Sequence, residues 1–167
     1  MGIARGDEYA AMDEDPDDYR PSSSWLLQVD PDRRTQLSVI RERIAAGDRI
    51  PRHWHDVDEV VLYEEGRALV HLDGLDTEVG PGDTVFIPAG SVHGTRNIGT
   101  GPVVIRAVYP ATRVRMDCVE RNPMPGTEDR APMATVYDMA TGEFTAIGAT
   151  DLPPAYRTGD RGLGGSP

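Results

Sequence analysis

Short apolar runs separated by turn residues occupy the chain from residue 25 to residue 109. The clearest pattern is the alternation of apolar and polar side chains over 68–72, followed by Asp73-Gly74 and a second alternating run over 75–79. A period of two predicts a strand, and an Asp-Gly pair between two such runs predicts a tight hairpin. By the same reasoning, strands are predicted over 25–29, 36–44, 53–63, 68–72, 75–79, 85–87 and 103–109, with one more inside 134–146.

Strands that recur about every 8 to 12 residues without a helical period indicate a sandwich or a barrel. The 167 residues suit one domain, and a hydrophobic content of 38% is enough for a small core. No internal repeat is visible. We therefore expect an all-β fold with a single domain and flexible termini.

The composition divides the chain into three parts. Residues 1–20 are rich in Asp and Glu and poor in apolar side chains, which predicts an acidic disordered leader. Residues 21–150 hold the predicted strands, and 151–167 end in a Gly-rich run that predicts a flexible tail.

The charge balance narrows the possible partners. Acidic residues outnumber basic ones 28 to 17, for a formal charge of -11, which argues against nucleic acid and anionic membranes as partners. The chain has neither a long apolar run nor the apolar core of a signal peptide near residue 1, so we expect a cytoplasmic protein. Cys118 stands alone, which excludes an internal disulfide and agrees with a reducing compartment.

Two spaced motifs lie between Gly47 and Asn97. The first reads G-x5-H-x-H-x3-E-x6-G and contains His53, His55 and Glu59. The second follows after 15 intervening residues, reads G-x5-P-x-G-x2-H-x3-N and contains His93. Side chains two apart in a strand share a face, so His53 and His55 point the same way. Glu59 keeps that parity if the chain stays extended, and His93 must come from a neighbouring strand.

With every marked position filled, this pair of motifs resembles those of the cupin superfamily. The resemblance covers roughly residues 35–110, with 47–97 as the motif core, and implies a jelly-roll-like β-barrel of one cupin module. It also implies that His53, His55, Glu59 and His93 are metal ligands. An isolated histidine is usually a surface or core residue, but three of the four histidines fall on motif positions, and only His71 lies outside them.

Three imidazoles and one carboxylate suit one divalent transition metal ion per chain: Fe, Mn, Co, Ni or Zn. Four ligands around a six-coordinate ion leave positions for water, a small-molecule substrate or dioxygen, as in a catalytic site. Tyr63 lies four residues after Glu59 and shares its face of the predicted strand, so we predict that Tyr63 is a catalytic phenol. The alternative is an interfacial tyrosine with its hydroxyl in water. Arg106 is nominated as a clamp for a substrate carboxylate, with a surface ion pair as the alternative.

The resemblance does not specify a reaction, because cupins include many kinds of enzyme as well as binding proteins. The first hypothesis is a mononuclear metal dioxygenase acting on a small organic molecule. The second is a non-redox cyclase, isomerase or lyase that uses the ion as a Lewis acid, for example in a polyketide or sugar pathway. The third is a binding module without turnover. We also expect a homodimer that involves residues near 20–35 or 112–145.

Overall fold

The computed structural model describes residues 2–5, 10–11, 24–123 and 125–147. The predicted leader 1–20 lies mostly outside these ranges, and the predicted tail 151–167 lies entirely outside them. Thirteen strands form in the described ranges: β1 (Ala10–Ala11), β2 (Ser24–Val29), β3 (Ser38–Ile44), β4 (Arg49–His55), β5 (Glu59–Glu65), β6 (Ala68–Leu72), β7 (Leu75–Val79), β8 (Thr84–Ile87), β9 (His93–Asn97), β10 (Val103–Tyr109), β11 (Arg113–Cys118), β12 (Ala134–Asp138) and β13 (Glu143–Ile147). These ranges contain no helix of the length and apolarity needed to cross a membrane.

The strands build two antiparallel sheets. The first sheet has the order β1-β2-β3-β10-β5-β8, and the second has the order β13-β12-β11-β4-β9-β6-β7. From β3 to β6 and again from β8 to β11, each strand lies in the sheet opposite to its predecessor. This connectivity gives two facing sheets around a shared interior, and it confirms the all-β, jelly-roll-like fold expected from the sequence.

Alternating side chains from both sheets fill that interior. In β3 the inward side chains of Ser38, Ile40, Glu42 and Ile44 are buried, and the side chains between them are more exposed. The aliphatic core combines residues such as Ile105 of the first sheet and Val114 of the second, 1% and 0% exposed respectively. Burial of these side chains is the main favourable term that holds the two sheets together.

The path between β4 and β5 differs from the expectation. Glu59 was expected to continue the strand of His55, but β4 ends in the second sheet and β5 begins in the first. Aspartates support the crossing: Asp56 accepts the backbone N–H of Arg115 at 2.9 Å, and Asp58 accepts that of Ala89 at 2.9 Å. The motif therefore bridges the two sheets instead of following one strand.

The region after residue 110 holds more strand than the sequence predicted. β11 was not predicted at all, yet it pairs with β4 and places Cys118 opposite His53. The strand expected inside 134–146 is present as β12, but the chain then turns and forms β13 as well. The side chain of Asp138 accepts the N–H of Ala140 at 2.8 Å, and its carbonyl accepts that of Gly142 at 2.8 Å.

Gly66, which ends the first motif, permits a close approach of two chain segments. Its φ is +81°, and a Cβ placed there would lie 2.4 Å from the carbonyl oxygen of Pro102. We expect Gly66→Ala to lower the free energy of unfolding by about 2 to 4 kcal/mol through backbone strain and overpacking, as measured by urea denaturation.

Gly74 is the matched control for this substitution. Its φ is +89°, but a Cβ placed there would have no atom within 4 Å. Gly74→Ala should therefore cost only the backbone strain, about 1 kcal/mol. Equal losses for the two variants would contradict the role assigned to the contact with Pro102.

Candidate metal centre

Both sheets contribute to the candidate metal centre. His53 and His55 come from β4 and His93 from the adjacent β9, where His53 and His93 are register partners. Glu59 approaches from the start of β5 in the opposite sheet. One potential ligand atom from each residue lies within 4.8 Å of the other three, and each residue is only 5% exposed. The expectation that His93 comes from a strand next to that of His53 and His55 is confirmed.

Backbone carbonyls determine which imidazole nitrogen of each histidine carries the proton. Nδ1 of His53 donates to the carbonyl of Pro51 at 2.6 Å, Nδ1 of His55 to that of Arg115 at 2.9 Å, and Nδ1 of His93 to that of Ser91 at 2.9 Å. A carbonyl oxygen can only accept, so Nδ1 holds the hydrogen in all three rings. In the neutral imidazoles, each Nε2 therefore presents a lone pair.

Those lone pairs converge on a common point together with a carboxylate oxygen. Nε2 of His53 lies 3.1 Å from Nε2 of His55, and Nε2 of His93 lies 2.9 Å from Oε2 of Glu59. Despite that short distance, Nε2 of His93 and Oε2 of Glu59 are buried without a geometrically acceptable hydrogen bond. When the imidazoles are neutral, three Nε2 lone pairs and Oε2 of Glu59 face one another in a buried space, an unfavourable arrangement that a divalent cation would relieve. The residues present fit a metal ion.

The pKa values of His93, Glu59 and His55 are shifted by burial and by the charges of the neighbouring ligands. Burial lowers the pKa of His93, but the adjacent carboxylate of Glu59 more than offsets this effect and raises it. Burial raises the pKa of Glu59, but His93 and His55 together leave it lowered. For His55 burial dominates, and its pKa is lowered. The site thus favours an ionised carboxylate and a neutral His55, as metal ligation requires, whereas the raised pKa of His93 favours a proton that a bound metal ion would displace.

Tyr109 is a site residue that the sequence analysis missed. Its hydroxyl donates to Oε1 of Glu59 at 2.9 Å, and its ring packs edge-on against His55, with centroids 5.2 Å apart. Burial, reinforced by the charge of Glu59, raises its pKa well above the ordinary value, so the phenol stays protonated as a donor. The alternation of side chains in β10 could have identified it, because Tyr109 shares the inward face of that strand with Ile105 and Ala107.

Tyr63 lies in the same interior. It is 3% exposed, lines the same cavity as the cluster, and its hydroxyl forms a 2.8 Å hydrogen bond with Oγ1 of Thr95 in the opposite sheet. Burial strongly raises its pKa. The inward direction predicted from the parity of Glu59 is confirmed.

Arg106 is not brought to the cluster. It lies on the outer face of β10, its side chain is 47% exposed, and its Nε contacts Oε1 of Glu64 at 2.6 Å. This is the surface ion pair that the sequence analysis gave as the alternative. The inward parity in β10 belongs to Ile105 and Ala107, so a substrate clamp at Arg106 is not supported.

A cavity of about 80 Å³ adjoins the four ligands, enough for several waters or part of a small organic molecule. Its wall is mostly aliphatic and aromatic, with Met116, Met133 and Met139 at the side of the second sheet. Among the described residues that line it, the charged side chains other than histidine are the carboxylates of Glu42 and Glu59, and no arginine is present. Cys118 also lines the cavity and is partly exposed rather than fully buried.

Comparisons with known proteins agree with this architecture. The family model described as Cupin domain matches residues 40–109. An uncharacterised protein of Methanocaldococcus jannaschii is 38% identical over 87 residues, which cover 51% of this chain and 70% of that protein. Quercetin 2,3-dioxygenase of Bacillus subtilis is 34% identical over 62 residues, which cover 36% of this chain but only 18% of the enzyme.

A solved structure extends the likeness beyond the motifs. A sugar phosphate isomerase of the cupin superfamily from Silicibacter pomeroyi superposes with a TM-score of 0.59 and 21% identity, covering 79% of this chain and 82% of that one. At this identity the match concerns the fold alone. The family match and the filled motif positions show that this chain contains a cupin-type domain over residues 40–109.

Proposed function

We propose that this chain is a metal-dependent enzyme in which His53, His55, Glu59 and His93 hold one divalent transition metal ion, and that it oxidises a small organic molecule as a dioxygenase. The observation that carries the proposal is the convergence of three Nε2 lone pairs and one carboxylate oxygen in a buried site beside a cavity. A redox-active ion held there would supply one-electron chemistry with dioxygen, and a redox-inert ion would supply a Lewis acid.

The surrounding side chains have separate tasks in this proposal. Tyr109 orients Glu59, because its hydroxyl holds Oε1 and leaves Oε2 directed at the imidazoles. Tyr63 is the phenol that exchanges a proton with substrate, with Thr95 as its hydrogen-bond partner. The apolar wall excludes water from the reacting molecule.

Two observations support oxidation of an uncharged substrate. The cavity wall is mainly apolar and, in the part of the chain that the structure describes, has no arginine to bind a phosphate or carboxylate. In addition, the matched segment of quercetin 2,3-dioxygenase belongs to an enzyme named for dioxygen chemistry.

The second candidate is a non-redox isomerase, cyclase or lyase. It is favoured by Tyr63, a buried neutral phenol on the cavity wall whose hydroxyl can donate a hydrogen bond to a substrate oxygen without any redox chemistry. The homodimer expected from the sequence stays a prediction, because nothing in the described residues tests it.

Metal binding is tested by mass spectrometry of the purified, reconstituted protein. Because four ligands converge, we expect about one metal ion per chain in the wild type, and loss of most of it in His53→Ala. The control is His71→Ala, since His71 lies on the β6–β7 hairpin and pairs with Asp76. A metal content that is equal in all three proteins would contradict the assigned ligands.

The redox proposal is tested by loading the protein with Fe(II) under anaerobic conditions and then adding air with a panel of phenols, diketones and thiols. Oxygen uptake that requires both substrate and iron is expected, and the zinc-loaded protein should show none because zinc has no redox chemistry. Turnover of a substrate at full rate with zinc would instead select the non-redox candidate.

The role of Tyr109 is tested by the metal affinity of Tyr109→Phe, measured by competition with a chelator. Loss of the hydrogen bond to Glu59 should weaken metal binding by about tenfold to a hundredfold. Tyr63→Phe is the matched control, because its hydroxyl bonds to Thr95 and to no ligand, so its affinity should stay at the wild-type value. Equal affinities in all three proteins would show that Tyr109 does not orient Glu59.

A further inference from the structure

The carbonyl that orients His93 lies in a turn, whereas the carbonyls that orient the other two histidines lie in strands. Pro51 belongs to β4 and Arg115 to β11, and the pairing of these two strands restricts their backbone. Ser91 lies between the end of β8 at Ile87 and the start of β9 at His93. The direction of its carbonyl therefore depends on contacts other than strand pairing.

The carboxylate of Asp73 supplies such contacts. Its Oδ2 accepts the hydroxyl of Ser91 at 2.9 Å, and its Oδ1 accepts the backbone N–H of Val92 at 3.0 Å. The backbone N–H of Asp73 donates in turn to the carbonyl of Val92 at 2.8 Å. These three hydrogen bonds join the tip of the β6–β7 hairpin to the two residues that precede His93.

The segment that Asp73 holds is buried and leads to the imidazole of His93. Ser91 is 1% exposed and Val92 is 6% exposed. Leu72, which precedes Asp73, is the register partner of His93 in β9. The carbonyl of Ser91 then accepts Nδ1–H of His93 at 2.9 Å. A continuous set of contacts thus runs from the carboxylate of Asp73 to the ring of a candidate metal ligand.

The backbone of the hairpin does not by itself require an aspartate. Leu72 pairs with Leu75, so Asp73 and Gly74 form a two-residue loop, with φ of +47° and +89° respectively. Positive φ at both positions is typical of a type I′ turn, which asparagine and glycine adopt as well as aspartate. The carboxylate of Asp73 therefore has a role beyond the turn, namely its contacts with the segment before His93.

We propose that Asp73 is a positioning residue of the metal centre: its carboxylate holds the Ser91 carbonyl in place, which keeps the proton of His93 on Nδ1 and directs Nε2 at the metal ion. The inference rests on the proposed function for the presence of that ion. Glu59 is the competing acceptor, because its Oε2 lies 2.9 Å from Nε2 of His93. Release of the Ser91 carbonyl would let the proton shift to Nε2, where it blocks the lone pair that the metal ion needs.

Zinc affinity, measured by competition with a chelator, tests the inference in Asp73→Gly. Glycine accepts the positive φ of the turn but removes both carboxylate contacts, so zinc affinity should fall about tenfold to a hundredfold. Asp73→Asn should stay within about threefold of the wild type, because its amide oxygen can accept from Val92 and its NH₂ can donate to Oγ of Ser91. Equal affinities in the wild type and Asp73→Gly would overturn the inference.

Asp76→Ala is the matched control. The carboxylate of Asp76 lies on the same hairpin, but it contacts Nδ1 of His71 at 2.7 Å. Its removal can affect the stability of the hairpin, while zinc affinity should stay at the wild-type value. A loss as large as that in Asp73→Gly would show that damage to the hairpin, and not the contact with Ser91, is responsible.

The position of the ring proton separates positioning from a general effect on stability. Heteronuclear NMR of nitrogen-labelled, metal-free protein in alkaline solution, in which the ring of His93 is neutral, distinguishes Nδ1–H from Nε2–H. The wild type and Asp73→Asn should show Nδ1–H, and Asp73→Gly should show a mixture with Nε2–H. Lower stability of Asp73→Gly with an unchanged proton position would assign Asp73 to the fold alone.

Ser91→Ala covers the case in which Asp73→Gly fails to fold. It leaves the backbone of the hairpin intact and removes only the hydrogen bond from the Ser91 hydroxyl to Asp73. Zinc affinity should fall at least about threefold, in line with the loss of one hydrogen bond to a charged group. An unchanged affinity would contradict the role of Asp73.

Failure of the inference and failure of the proposed function give different results. Wild-type protein that binds no zinc defeats the proposed function, while NMR of the metal-free proteins still tests the connection from Asp73 to His93. Wild-type protein that binds zinc, together with an undiminished affinity in Asp73→Gly, defeats the positioning role alone.

Discussion

The arrangement of this protein depends on three hydrogen bonds that leave imidazole lone pairs pointing inward. Each Nδ1 donates to a backbone carbonyl, so the tautomer of each ring is determined by the path of the chain next to it. Two of those carbonyls belong to Pro51 and Ser91, two residues before His53 and His93 respectively. The third belongs to Arg115 in β11, so a strand outside both motifs orients His55.

Glu59 adds the constraint that links the two sheets. Its carboxylate reaches the histidines from the opposite side, and Tyr109 on the adjacent β10 holds its other oxygen. Four buried acceptors are costly to hold together, and the aliphatic core around them supplies the packing that offsets this cost. The same convergence that lowers stability without a cation is what makes the site suited to bind one.

The cavity beside this centre has a mainly apolar wall, to which Glu42, Trp25 and Tyr63 add polar groups. The alternation of the first sheet directs Arg106 outward, to pair with Glu64, and directs Glu42, Glu59, Tyr63 and Tyr109 inward. None of the seventeen arginines of the sequence is among the described residues that line the cavity.

The sequence by itself determined the motif positions, the hairpin at Asp73-Gly74 and the all-β class, because a period of two and the turn residues are local properties. It also identified the four clustered side chains, since the spacing of the motifs resembles a known family. It did not place Glu59 in the opposite sheet, predict β11 or distinguish the outward Arg106 from the inward Tyr109. Those features depend on which strands pair and where the chain crosses between sheets, and only the tertiary structure decides long-range pairing, because contacts distant in sequence leave no periodic signal in it.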